Sequence, residues 1–261
     1  MHTATSSRST HIPGVKAVTL DHPWRWLSAG WLDMTATPAI SFAYGALFAG
    51  VGFVLLFGLE MYDAGYLILP LALGFALVGP AVAVGLYETS RRLGTGEDIG
   101  AGYAIGAIGR NPVQIALVGM FLLIAFIAWV RLAMLEFMLF FGATPPGLGG
   151  IVEAVLTTDT GFLFLAAGTV SGGILAAGVF AMAAIAVPML IDRPDCDAMT
   201  AMLTSVDAVR RNWKPMALWA FLIALFTLSG LALFMIGLAV TLPLVGHASW
   251  HAYRDLVESP G

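Results

Sequence analysis

The chain has 261 residues, 59% of them hydrophobic and 11% charged, with a formal net charge of −4. Soluble domains carry about 25% charged residues, and a core of this size cannot hide so much apolar surface, so a soluble domain is excluded. The acidic balance leaves no basic surface for nucleic acid, and the single cysteine, Cys196, excludes an internal disulfide and a cysteine-based metal cluster.

The opening stretch, MHTATSSRSTHIPGVKAVTLDHP, is polar and lacks the apolar core of a removable signal peptide, so the first span is expected to serve as the insertion signal. Residues 1–22 read as a disordered cytoplasmic N-terminus and 23–257 as one transmembrane domain. Trp24, Trp26 and Trp31 are expected to anchor at the membrane interface. Spans are expected at about 39–59, 66–87, 113–135 and 162–190, each long enough to cross roughly 30 Å of hydrocarbon as a helix. Glu60 and Asp63 fall in the turn after the first span. Arg131 and Glu136 are expected near or beyond the outer surface, touching each other or lipid headgroups. The stretch ATPPGLGGIVEAVLTTDTG reads as a Pro-Gly turn followed by a short amphipathic helix. GTGEDIGAG is glycine-rich but follows a membrane helix rather than a strand, unlike a phosphate loop.

Residues 215–253 contain no Asp, Glu, Lys or Arg. One helix of that length would be roughly 58 Å long, nearly twice the hydrocarbon thickness. Two spans at about 215–230 and 234–253 fit instead, with Thr227–Gly230 or Gly237 supplying the turn, for six spans in all. Every Lys and Arg except Arg131 then falls on one side, and the excess of positive charge places both termini in the cytoplasm.

The segments before spans one, three and five are alike: an amphipathic stretch meets Pro38, Pro112 or Pro215 at the start of a membrane helix, where a missing N–H costs little. The exits are alike too. Glu88 and Arg91 follow Pro80 at the same offsets as His251 and Arg254 follow Pro243, and Asp192 follows Pro188 as His247 follows Pro243. The expected fold is all-α, six transmembrane helices as three pseudo-repeated hairpins, each preceded by a cytoplasmic amphipathic helix. Pro80, Pro188 and Pro243 should kink the even spans. Gly168 and Gly172, a GxxxG pair, and Ala46 with Gly50 should permit close helix contact.

The segments GWLDMTATPAISFAYGALFAG, LPLALGFALVGPAVAVGLYETSRRL, RNPVQIALVGMFLL, DAMTAMLTSVDAVRRNWKPMALWA and PLVGHASWHAYRDL resemble a family of bacterial integral membrane proteins, domain of unknown function 2189. The resemblance runs from about Trp24 to Val257. It implies six spans in a bacterial inner membrane and brings no activity with it.

Two arrangements are open for the polar exits. His247 and His251, four residues apart on one helical face, could join Glu88 and Asp192 beneath the bundle as a metal site. The same residues could form an interfacial polar cluster that ties three helix exits together by hydrogen bonds. No Ser/His/Asp set or carboxylate pair is evident along the chain. The scarcity of ionisable groups within the spans, beside glycine-rich helix surfaces, leads to an expectation of a non-catalytic inner-membrane protein. It would be an accessory, assembly or scaffolding subunit of a larger membrane complex, such as a respiratory one. Its partners would be membrane lipids and other integral membrane proteins, and no cofactor is expected. The alternatives are a transporter or channel for a small or lipidic solute, using a cavity among the kinked helices, and a metal-binding membrane protein using the histidine pair.

Overall fold

The structure, a computed structural model, describes residues 13–62, 64–142, 148–233 and 235–258. Among the described residues it is all-helical, 85% helix with no strand. The helices are α1 (His22–Ala36), α2 (Pro38–Met61), α3 (Ile68–Val82), α4 (Val84–Thr95), α5 (Ala101–Ile105), α6 (Pro112–Phe141), α7 (Leu148–Thr157), α8 (Asp159–Ala183), α9 (Ala186–Asp192), α10 (Ala198–Arg211), α11 (Trp213–Ala232) and α12 (Leu238–Leu256). Pro38 and Pro112 open α2 and α6, and Pro215 lies in the first turn of α11.

Among the described residues, five helical stretches are long and apolar enough to cross a membrane: Pro38–Met61, Pro70–Thr95, Pro112–Phe141, Asp159–Asp192 and Trp213–Ala232. The expected sixth, 234–253, is not among them. Its helix, α12, starts at Leu238, and its second half carries His247, His251, Arg254 and Asp255, which dilute its apolar character. The turn before α12 includes Leu233 and 235–237, while Thr227–Gly230 stays helical. Gly237 is needed there for closeness: a Cβ on it would meet the Gly230 Cα at 2.7 Å.

Proline places two of the helix breaks. The second span divides at Ala83, just past Pro80, and the fourth at 184–185, where Pro188 removes the amide that would bond the Ala184 carbonyl. α12 continues through Pro243 unbroken. The carbonyl released by Pro243 is that of Ala239, and α2 lies directly against it at Gly45. The seam of α2 is Ser41, Gly45 and Ala49; Ala46 and Gly50 face outward, one residue out of register with the expected contact. Gly172 of the GxxxG pair packs on the Trp129 ring of α6 and Gly168 lies beside Glu136, so this pair serves internal packing.

The first and last described segments meet at one end of the bundle. Val15 bridges Val257, and the Lys16 amide donates to the Leu256 carbonyl at 2.9 Å. The Asn212 side chain clamps the same strip, accepting from the Val18 amide at 2.8 Å and donating to the Lys16 carbonyl at 3.0 Å. Of the stretch expected to be disordered, residues 1–12 lie outside the described residues, and Val15 to Val18 are held by these bonds.

The densest core sits at this termini end. There α4, α9 and the second half of α12 pack against one another, and α1 and α10 close around them. Leu86, Met189, Leu190, Ile191, Tyr253 and Leu256 are fully buried here. Away from this end the helices form two layers, α2–α12–α11 and α3–α6–α8, joined through α3 and α11. Only 17% of the α2 span is buried. Apolar faces gain nothing from hiding when the solvent is lipid, whereas at a membrane surface they must be covered. Loose layers on a tight base follow from that difference.

Candidate functional site

His247 is fully buried, and each of its ring nitrogens has one hydroxyl partner. Nε2 lies 3.0 Å from Ser41 Oγ and Nδ1 lies 2.8 Å from Ser90 Oγ. Ser90 in turn donates to Asp33 Oδ2 at 2.6 Å, and His251 Nε2 stands 2.8 Å from the same oxygen. Because the Ser90 proton goes to Asp33, its oxygen accepts from His247 Nδ1–H, and Nε2 then accepts from Ser41. The network thus assigns His247 as a neutral imidazole with both nitrogens engaged. Four helices, α1, α2, α4 and α12, are joined by it.

This set was not visible along the chain, where no Ser/His/Asp grouping was expected. Its geometry is that of a structural lock. A hydroxyl stands between the histidine and the carboxylate, and neither Ser41 nor His247 has exposed surface from which to meet a substrate.

The other singled-out polar residues have separate partners. Glu88, 2% exposed, receives Arg91 Nε at 2.8 Å and Arg92 Nε at 2.6 Å, with Arg110 Nε at 3.6 Å. Arg110 also donates to the Ile191 carbonyl at 2.7 Å, tying this cluster to α9. Beyond the helix end, Arg91 and Thr95 hydrogen bonds hold the Glu97 carboxyl down at about 2. Asp192 receives Tyr253 Oη–H at 2.6 Å and Arg254 Nη1 at 3.2 Å. Glu88, Asp192, His247 and His251 therefore do not share a centre, and among the described residues no three His, Cys, Asp or Glu side chains gather to hold one metal ion. The three exits meet around one another.

Other expectations shift at the residue level. Trp24 and Trp31 are exposed, but Trp26 is 1% exposed, stacks edge-on against Trp219 and donates to Asp255 at 2.8 Å. Its indole is a core element of the α1–α11–α12 junction rather than an anchor. The third span runs to Phe141, so Arg131 and Glu136 lie within α6, and among the described residues they form no ion pair with each other. Asp63 and the Pro-Gly turn at 145–147 lie outside the described residues, while the expected short helix is α7.

A cleft of about 520 Å³ lies between the two layers. Its facing walls are α8, through Gly173, Ala176 and Ala177, and α11, through Ala217, Ala220 and Ala224, with α3 and α12 behind. Small side chains on both walls create the space. At the termini end it is bounded by Tyr87, Ser249, Val209 and Trp213. A second opening of about 290 Å³ adjoins it, sharing Phe75 and Leu238 and lined mostly by apolar residues of α2, α3 and α6. Pockets of 300–1,000 Å³ with apolar walls and a few polar groups are the usual form of a small-molecule site.

Apolar helices of spanning length around an apolar cleft define an integral membrane protein. Residues 68–192 match the family described as predicted integral membrane protein, DUF2189. The resemblance read from the sequence is thus found over α3 to α9, a shorter stretch than Trp24–Val257. No curated protein and no solved structure matches the chain.

Proposed function

We propose that this is a non-catalytic membrane protein that holds the apolar chain of a lipidic molecule in the cleft between α8 and α11. The cleft carries this reading, since it is apolar, lies among spanning helices and is of ligand size. Of the alternatives open from sequence, it favours the lipidic solute. The buried acids, bases and hydroxyls are engaged with one another at the base, which supports binding rather than chemistry.

The same reading takes α12 as a sixth passage, with both termini in the cytoplasm of a bacterial cell and the spans in its inner membrane. Support comes from the pairing of Val15 with Val257, which needs an even number of passages, and from the basic residues gathered at that end. The recurring order of amphipathic segment, proline-led span and proline-bearing return, broken in the first two copies, supports the threefold repeat.

Native mass spectrometry after mild-detergent extraction tests the function. The wild-type chain should carry a lipid-sized adduct that Ala220→Phe, which fills the cleft from α11, removes. A stoichiometric second protein chain in place of lipid would return the function to the accessory-subunit reading.

A further inference from the structure

We infer that the guest of this cleft carries an anionic head, a carboxylate or phosphate monoester on a single apolar chain, received at the termini-end mouth by Arg210 and Lys214. This rests on the cleft reading above.

The cleft is asymmetric along its length. Toward its middle the walls offer Phe75, Gly173, Ala176, Ala220 and Ala224, with Thr227 the polar exception. A charged head cannot rest there without a large desolvation cost. At the termini end the lining changes character. Tyr87 and Ser249, 2% and 7% exposed, bring hydroxyls to the cleft, and Trp213 stands at its edge. A chain therefore enters tail toward the middle and head toward the base.

Two cations adjoin the mouth in sequence. Val209 and Trp213 line the cleft, and each is followed directly by a cation, Arg210 and Lys214. Both cations are exposed, and among the described residues neither makes an ion pair. Their neighbour Arg211 is held by Asp207 at 2.8 Å. Arg91, Arg92 and Arg110 surround Glu88, and Arg254 sits on Asp192. Arg210 and Lys214 thus stand exposed beside an apolar slot, Lys214 Nζ 5.4 Å from the ring centroid of the lining Trp213, where a cation can pair with an oxyanion. Volume sets the tail count: about 520 Å³ in the cleft suits one chain rather than a pair.

Trp213 and Trp219 both line the cleft and report on it directly. The full chain in phosphatidylcholine nanodiscs would be titrated with dibromostearate, whose bromines quench indole fluorescence on contact. Oleate, oleyl phosphate, oleyl alcohol and oleylamine would then compete. Oleate and oleyl phosphate should displace the probe at least tenfold more effectively than the alcohol or the amine, and their ratio tells carboxylate from phosphate. Arg210→Gln and Lys214→Gln should each weaken the anions about fivefold, as expected for one surface cation near a charged head, with the alcohol unchanged. Equal displacement by alcohol and acid, or an anion preference that survives both neutralisations together, would overturn the anionic assignment and leave the cleft standing. Undiminished probe binding in both Ala220→Phe and Ala176→Phe, which block opposite walls, would overturn the cleft itself.

Discussion

His247 is held by two hydroxyls from helices far away in sequence, Ser41 at 206 residues and Ser90 at 157. Replacing it by alanine removes the ring that joins them, leaving Ser90 with Asp33 and Ser41 with Thr37, at a cost of about 1–3 kcal/mol for the lost bonds. Thermal unfolding of His247→Ala in detergent should show a large loss, and His251→Ala, whose side chain is partly exposed, a smaller one. The sequence marked both histidines as special because polar rings directly after an apolar run are uncommon. It could not supply their partners, since Asp33, Ser41 and Ser90 sit on three other helices and only packing brings them together. Glycine shows the same division. The small-residue pattern of α2 was legible, but which stripe faces α12 was not. Gly45→Ala should be destabilising by about 1–3 kcal/mol, because its new methyl would strike the Ala239 carbonyl. Gly50→Ala, which meets nothing within 4 Å, should leave the melting temperature unchanged.

At the scale of the element, spans were legible where apolar runs are long and proline marks their start. α2, α6 and α11 begin at or within two residues of Pro38, Pro112 and Pro215. Return helices were less so, because Pro80 and Pro188 divide two of them and polar residues occupy half of α12. α10 has a conventional start: Asp197 accepts from the Thr200 amide at 2.8 Å, and that bond holds its carboxyl below the usual range. Asp197→Ala should cost about 1 kcal/mol. The wild-type contribution should be present above the ordinary aspartate range and fade as pH falls through the lowered folded value. A pH series of unfolding midpoints for the two proteins should therefore converge in acid; a constant gap would contradict the role given to the cap.

The whole molecule combines a closed base with two loosely joined layers. Composition and apolar runs made the membrane class legible. The cleft was not, because its walls come from α8 and α11, which are separate in sequence and meet only across a gap left by small residues. Topology has its own check. In a Cys196→Ser background, Glu153→Cys on α7 should react with a membrane-impermeant thiol reagent in intact cells. Arg254→Cys should react only after the membrane is opened. Reaction of both from outside would contradict an even number of passages.

The most direct measurement is photo-crosslinking with a diazirine-bearing fatty acid, followed by mapping of the labelled peptides. Label concentrated on 173–183 of α8 and 217–227 of α11, and displaced by unlabelled oleate, is the predicted result. Label spread over the exposed face of α2, or equal on all spans, would contradict a specific lipid site in the cleft.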